Sequence, residues 1–320
     1  MKDLSQYQCI DFHAHPVTPA FRQAMDDLGI DPLVEDGFPL PKWSVEDHLD
    51  FMKGAGIDYT VLSVPVPHIY NGDGQAACIA ARQVNEEVAA IVKDNSDDFG
   101  FVAVMPLPDV EGTIKETRYA MDELGALGVK VATNMGGIYL GDPQFDPVME
   151  EWNKRHALVI IHPCRARLRP DNVITGTVAA IYEYPADTTR AVINMIAHRT
   201  MTRYPNIRFV VPHCGSFLPY MKQRFKGVSG ILAGMGMMDT VDVDAEIEKL
   251  YFDIAGDPEP NHLSMLRMIA KDDHIVYGSD FPHSPAPVIQ AKKRHLDDNK
   301  DYDDIREQIY HHNAIKLLTD

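Results

Sequence analysis

Short apolar runs alternate along this chain with longer segments whose apolar residues recur at helical spacing. The runs fall at residues 9–13, 59–64, 101–105, 129–132, 158–162, 207–212, 250–254 and 274–277. They are rich in β-branched and aromatic residues, and Leu158-Val159-Ile160-Ile161 is apolar without interruption. Such runs suit parallel strands covered on both faces, where neither side meets water. The segments between them predict helices at 75–95, 112–127, 146–155, 187–204, 219–227, 260–271 and 285–297. A further helix opens at Ser44, an N-cap with Asp47 three residues on, and Gly54 and Gly56 mark its end.

Eight strand-then-helix units predict an α/β fold, a single (β/α)8 TIM barrel. The chain has 320 residues, enough for two average domains, but one barrel with insertions accounts for all of it. The expectation is therefore one domain over 1–320. Two connections are too long to be simple loops, 16–43 after strand one and 164–186 after strand five. Both carry prolines and are expected over the C-terminal rim, where barrel enzymes build their pockets.

The chemistry-bearing residues collect at the ends of the runs. Strand one closes Asp11-Phe12-His13-Ala14-His15, and side chains alternate along a strand, so His13 and His15 are expected on one side, facing inward. The fifth run ends at His162, the sixth is followed by His213, and the eighth leads into Tyr277-Gly278-Ser279-Asp280. Metal-type residues on four strand ends of one barrel point to a metal centre at its mouth.

These phrases carry a resemblance. A barrel with His-x-His after strand one, His after strands five and six, and Asp after strand eight resembles the amidohydrolase superfamily. His162-Pro163, His213-Cys214-Gly215-Ser216-Phe217-Leu218-Pro219 and Tyr277-Gly278-Ser279-Asp280-Phe281-Pro282 look like the branch of aminocarboxymuconate-semialdehyde decarboxylase and γ-resorcylate decarboxylase. The resemblance implies that His13, His15, His162 and Asp280 hold one divalent ion, Zn²⁺ first and Mn²⁺ on the same donors. It implies that His213 is the catalytic acid/base beside a metal-bound water, with Asp280 close enough to relay or hold the proton. The implied activity is non-oxidative decarboxylation of a small unsaturated or aromatic carboxylic acid.

The resemblance also implies that Arg224 reaches into the neighbouring subunit's site to hold a substrate carboxylate, and hence a homodimer. One departure stands out. Family members place another carboxylate-binding arginine on the first barrel helix, where this chain has Glu46-Asp47-His48-Leu49-Asp50. His48 sits nearest that position, and Arg165, with Arg167 and Arg169, could supply the lost charge. His68 and His283 follow strand-end prolines and are candidates for the pocket wall. Lys130 on strand four keeps a rival open, a lactone or amide hydrolase, because binuclear amidohydrolases bridge two metals with a carboxylated lysine there. Cys214 is read as packing.

Composition narrows the partners. Forty-seven acidic residues against thirty Lys and Arg give a charge of −17, which repels phosphate backbones and anionic lipid headgroups. The expected partner is a small carboxylic acid, with neither nucleic acid nor membrane. The N-terminus lacks an apolar signal core, and Cys9, Cys78, Cys164 and Cys214 are far apart with no C-x-x-C pair, so a cytoplasmic protein with reduced thiols is expected. No Gly-rich dinucleotide fingerprint or P-loop supports redox or phosphoryl chemistry.

Overall fold

Each apolar run forms a strand in the computed structural model, which describes residues 4–168 and 178–319. The strands are β1 (Ile10–Ala14), β2 (Tyr59–Leu62), β3 (Phe99–Val104), β4 (Gly128–Ala132), β5 (Asn134–Met135), β6 (Ile138–Tyr139), β7 (Leu158–His162), β8 (Arg208–Val211), β9 (Tyr251–Asp253) and β10 (Ile275–Val276). Eight of them pair in parallel in the order β1-β2-β3-β4-β7-β8-β9-β10, while β5 and β6 form a separate antiparallel ribbon that the sequence pattern did not predict. The residues trailing β10 close the ring: Phe12 N–H donates to Tyr277 O at 2.9 Å, Asp280 N–H to His13 O at 2.7 Å and His15 N–H to Phe281 O at 2.7 Å. A β-carbon at Gly278 would lie 2.7 Å from the His13 β-carbon, so only glycine lets the two chains approach. The protein is a (β/α)8 TIM barrel.

Helices follow the strands as α1 (Pro19–Asp27), α2 (Pro32–Glu35), α3 (Val45–Ala55), α4 (Gly74–Asp94), α5 (Val110–Asp122), α6 (Asp146–Lys154) and α7 (Glu183–Ala197). After these come α8 (Thr200–Arg203), α9 (Leu218–Gly234), α10 (Val243–Ile247), α11 (His262–Arg267), α12 (Ala286–Asp298) and α13 (Asn313–Thr319). Ser44 caps α3 as expected, its Oγ accepting from Asp47 N–H at 3.0 Å, and Gly56 ends it in the left-handed region at φ 66°. Helix α9 runs on past Gly227, where the sequence pattern ended it, because Gly227, Gly230 and Gly234 are accommodated within a helix whose other residues sustain it. The connection after β1 is not bare loop but carries α1 and α2.

Two apolar layers hold the barrel. Ile10, Phe12, Val61, Val102, Leu158, Ile160, Val210 and Val276 pack together with Leu4, Tyr7, Ala314 and Leu317, and a larger cluster lies between strands and helices. Simple alternation on β1 would set His13 and His15 on the face opposite Ile10 and Phe12. The pairing with β2 shifts register between Asp11 and Ala14, three residues against two, and this bulge re-aims the end of the strand.

Asp36, beyond α2, is buried with its Oδ2 unpartnered. Burial pushes its carboxyl up to about 6, against the opposing pull of the Tyr184 hydroxyl and the Arg165 and Lys130 charges. A carboxyl whose folded pKa is raised favours folding fully only below its unfolded pKa, and that contribution is lost as pH rises through about 6. Asp36→Asn is therefore expected to raise Tm at pH 8 and to change it little at pH 4. Equal shifts at both values, in paired thermal melts, would count against this account.

Candidate active site

The ends of β1 and β7 and the turns after β8 and β10 bring five side chains together. Ligand atoms of His13, His15 and His162 lie within 4.8 Å of one another, as do those of His13, His213 and Asp280. Asp280 Oδ1 is 3.7 Å from His13 Nε2 and 3.3 Å from His15 Nε2. The outer nitrogens are spoken for. His15 Nδ1 lies 2.8 Å from Ser63 O and His162 Nδ1 lies 2.9 Å from Pro163 O. A carbonyl oxygen only accepts, so both rings carry their proton on Nδ1 and turn the Nε2 lone pair inward. His13 Nδ1 lies 2.8 Å from Asp253 Oδ2, and the Nε2 atoms of His13 and His15 are buried without a hydrogen-bond partner. Orphaned, convergent imidazole nitrogens beside a carboxylate fit a divalent cation.

The electrostatics agree. Burial lowers the pKa of His15 and His162. For His13 burial acts the same way but is outweighed by Asp253 and Asp280, which carry the ring up to about 9. Burial opposes ionisation of Asp280 too, yet the facing His15 and His13 rings hold it below the usual carboxylate range. The site is thus built to attract positive charge.

Asp253 escaped the sequence reading because it lies inside the run 250–254, although it is the last residue of β9 just as His162 is of β7. It is fully buried, and its Oδ1 accepts from His213 N–H and Ala255 N–H, each at 3.0 Å. Those bonds help hold His213 at φ 57°, and Asp280 sits at φ 62°. Left-handed backbone costs a non-glycine residue ~1–3 kcal/mol and gathers at functional sites. Burial, then His13, lower the His213 ring to about 4, and its Nδ1 is buried without a partner. Cys214 is buried and burial pushes its thiol up, in keeping with packing. It lies in a left-handed turn at φ 54° rather than on a strand, so strand alternation is not what turns it away.

A cavity of about 420 Å³ opens above this cluster, lined by His162, His213 and Asp280 at its base and by Phe38, Val66, Ile181 and Phe217 on its walls. His283 lines it as well. None of the four substrate-binding candidates from the sequence does. His48 is fully buried, its Nδ1 accepting from Trp43 Nε1–H at 2.9 Å and its ring set against Phe51, Phe99 and Phe281. His68 and Arg165 line a different cavity, His68 Nε2 lying 2.9 Å from Leu107 O and Arg165 Nη1 donating to Val34 O at 2.6 Å. Arg224 is exposed on α9. Arg169 lies outside the described residues. Lys130 is fully buried on β4 and its Nζ donates to Pro65 O at 3.2 Å.

Comparison with known proteins places this geometry. The family model described as Amidohydrolase matches residues 10–319. The chain is 31% identical over 314 residues to the 6-methylsalicylic acid decarboxylase of Penicillium expansum, covering 97% of this chain and 95% of that protein. A solved structure described as an amidohydrolase II superposes with a TM-score of 0.90 at 30% identity, covering 98% and 100% of the two chains. The 5-carboxyvanillate decarboxylase of Novosphingobium aromaticivorans, solved with manganese and 4-hydroxy-3-methoxy-5-nitrobenzoic acid, superposes with a TM-score of 0.84. Its identity is 19%, over 99% and 97% of the chains, a likeness of fold alone.

Proposed function

Because the chain belongs to the amidohydrolase family, we propose that its site carries out the metal-dependent, non-oxidative decarboxylation of a small aromatic carboxylic acid. The observation that carries this reading is the placing of His213 and Asp280 at the base of an aromatic-walled cavity, directly beside the three convergent imidazoles. A flat acid slides between Phe38 and Phe217, and its carboxyl end meets the polar base.

His13, His15, His162 and Asp280 would hold the ion, Zn²⁺ or the Mn²⁺ found in the structural relative. A divalent cation supplies Lewis acidity there, drawing charge from substrate oxygens. The rest falls to the chain. Asp253 fixes the His13 ring and the His213 backbone together, so ligand and acid/base keep their spacing. His213 and Asp280 hold the proton that takes the place of CO2 on the ring carbon. The C–C bond electrons pass to that carbon and then to the new C–H bond, so no oxidant or reductant is needed. The apolar walls exclude water. Arg224, from a partner copy, meets the substrate at the open end of the cavity in a homodimer. Free cysteines suit a cytoplasmic setting, and no helix among the described residues is long and apolar enough to cross a membrane.

The test is direct. Purified protein loaded with Mn²⁺ or Zn²⁺ is expected to release CO2 from 6-methylsalicylate or a dihydroxybenzoate under nitrogen, with one ion per chain by metal analysis. One ion follows from Lys130, whose ammonium is engaged with Pro65 O rather than carrying a bridging carboxylate. Two ions per chain, added mass on Lys130 and hydrolysis of a lactone without CO2 would replace this reading with the hydrolase.

A further inference from the structure

The mouth of the active-site cavity holds a charged pair that the decarboxylation chemistry does not use. Lys292, on α12, donates from Nζ to Asp257 Oδ1 at 2.6 Å and to Gly256 O at 3.2 Å. Both Lys292 and Asp257 line the cavity that His213 and Asp280 floor. A β-carbon built on Gly256 would lie 3.9 Å from His213 Cδ2, so the loop that carries Asp257 passes beside the acid/base. The ammonium is thus held, through Gly256 O, on the loop that passes beside His213. Among the described residues lining this cavity, Lys292 is the one lysine or arginine. His262 lines it too, and its Nδ1 lies 2.7 Å from Asp257 O, which leaves Nε2 as an acceptor.

The pair sets what it can recognise. A second carboxylate on the substrate would gain from Lys292 and lose to Asp257 in nearly equal measure. A neutral hydroxyl satisfies both, accepting from the ammonium and donating to the Asp257 carboxylate. We infer that Lys292 and Asp257 form a specificity-determining pair that reads a second ring hydroxyl, remote from the departing carboxylate, and turns away dicarboxylic acids. This rests on the decarboxylase reading above and narrows its substrate to a hydroxylated aromatic monoacid. It also accounts for a cavity that no arginine among the described residues lines.

The experiment measures binding by calorimetry in the Mn²⁺-loaded His213→Ala background, where no turnover consumes the ligand. The ligands are salicylate, its dihydroxybenzoate derivatives and 4-hydroxyisophthalate. At least one dihydroxy acid is expected to bind about tenfold more tightly than salicylate, as a hydrogen bond to a charged group implies. Lys292→Met should erase that advantage and leave salicylate unchanged, and Asp257→Asn should improve binding of the dicarboxylate. Equal affinity of salicylate and every dihydroxy acid overturns the inference, as does a Lys292→Met loss shared by both ligands. Tight, Lys292-dependent binding by this background, combined with no CO2 release from the wild-type enzyme, would sink the decarboxylase reading and leave the hydroxyl-reading pair standing.

Discussion

Replacing His213 by alanine is expected to lower kcat by ~10²–10⁴ while the ion stays bound, the usual range for losing a general acid/base. The geometry makes this a sharp test, because His213 lies within ligand distance of His13 and Asp280 and could join the metal instead. Two features argue for the proton-transfer role. The His13, His15 and His162 nitrogens already converge without His213, and its left-handed backbone is secured by Asp253 rather than by a carbonyl on the ring. Metal content and kcat of the purified variant decide between the roles. An intact fold that has lost its ion makes His213 a ligand.

Hybrid dimers give the second large effect. Arg224 is exposed on α9, on the same face as Tyr220 at 78% exposure, Ile231 at 65% and Met235 at 68%. Spacings of four, seven and four residues make these a single helical stripe, with Val228 along its edge. A stripe this apolar is costly in water and suits a two-fold contact in which each copy lends Arg224 to the other. Chains carrying His213→Ala and chains carrying Arg224→Ala should each be nearly inactive. Mixed and allowed to exchange, they should recover roughly a quarter of wild-type activity, since half the dimers are hybrids and each hybrid holds one intact site. A chain that is monomeric and active on dilution, or verified exchange without recovery, refutes the shared site.

Much of the candidate metal site was legible because a barrel converts local pattern into position. Whatever residue ends an inward-facing parallel strand lands at the mouth, so His162 and the segment leading to Asp280 could be placed from apolar runs alone. His13 and His15 were placed correctly for an incomplete reason, since the bulge after Asp11, and not unbroken alternation, turns them inward. Asp253 ends its strand in the structure, but in the sequence it lies inside the run 250–254, with Ile254 carrying the apolar pattern past it, so no strand-end signal marked it.

Local patterning by itself determined the eight strands, the barrel, the Ser44 cap and the five metal-type residues that gather at the mouth, because hydrophobic period and strand-end chemistry are properties of neighbouring residues. Only the tertiary structure decided which side chains share the cavity. His48 vanished into an aromatic nest, His68 and Arg165 went to another cavity, and Lys292 met Asp257 across the mouth from a helix and a loop far apart in the chain. Such meetings depend on how long segments pack over the rim, and no spacing along the chain encodes that distance.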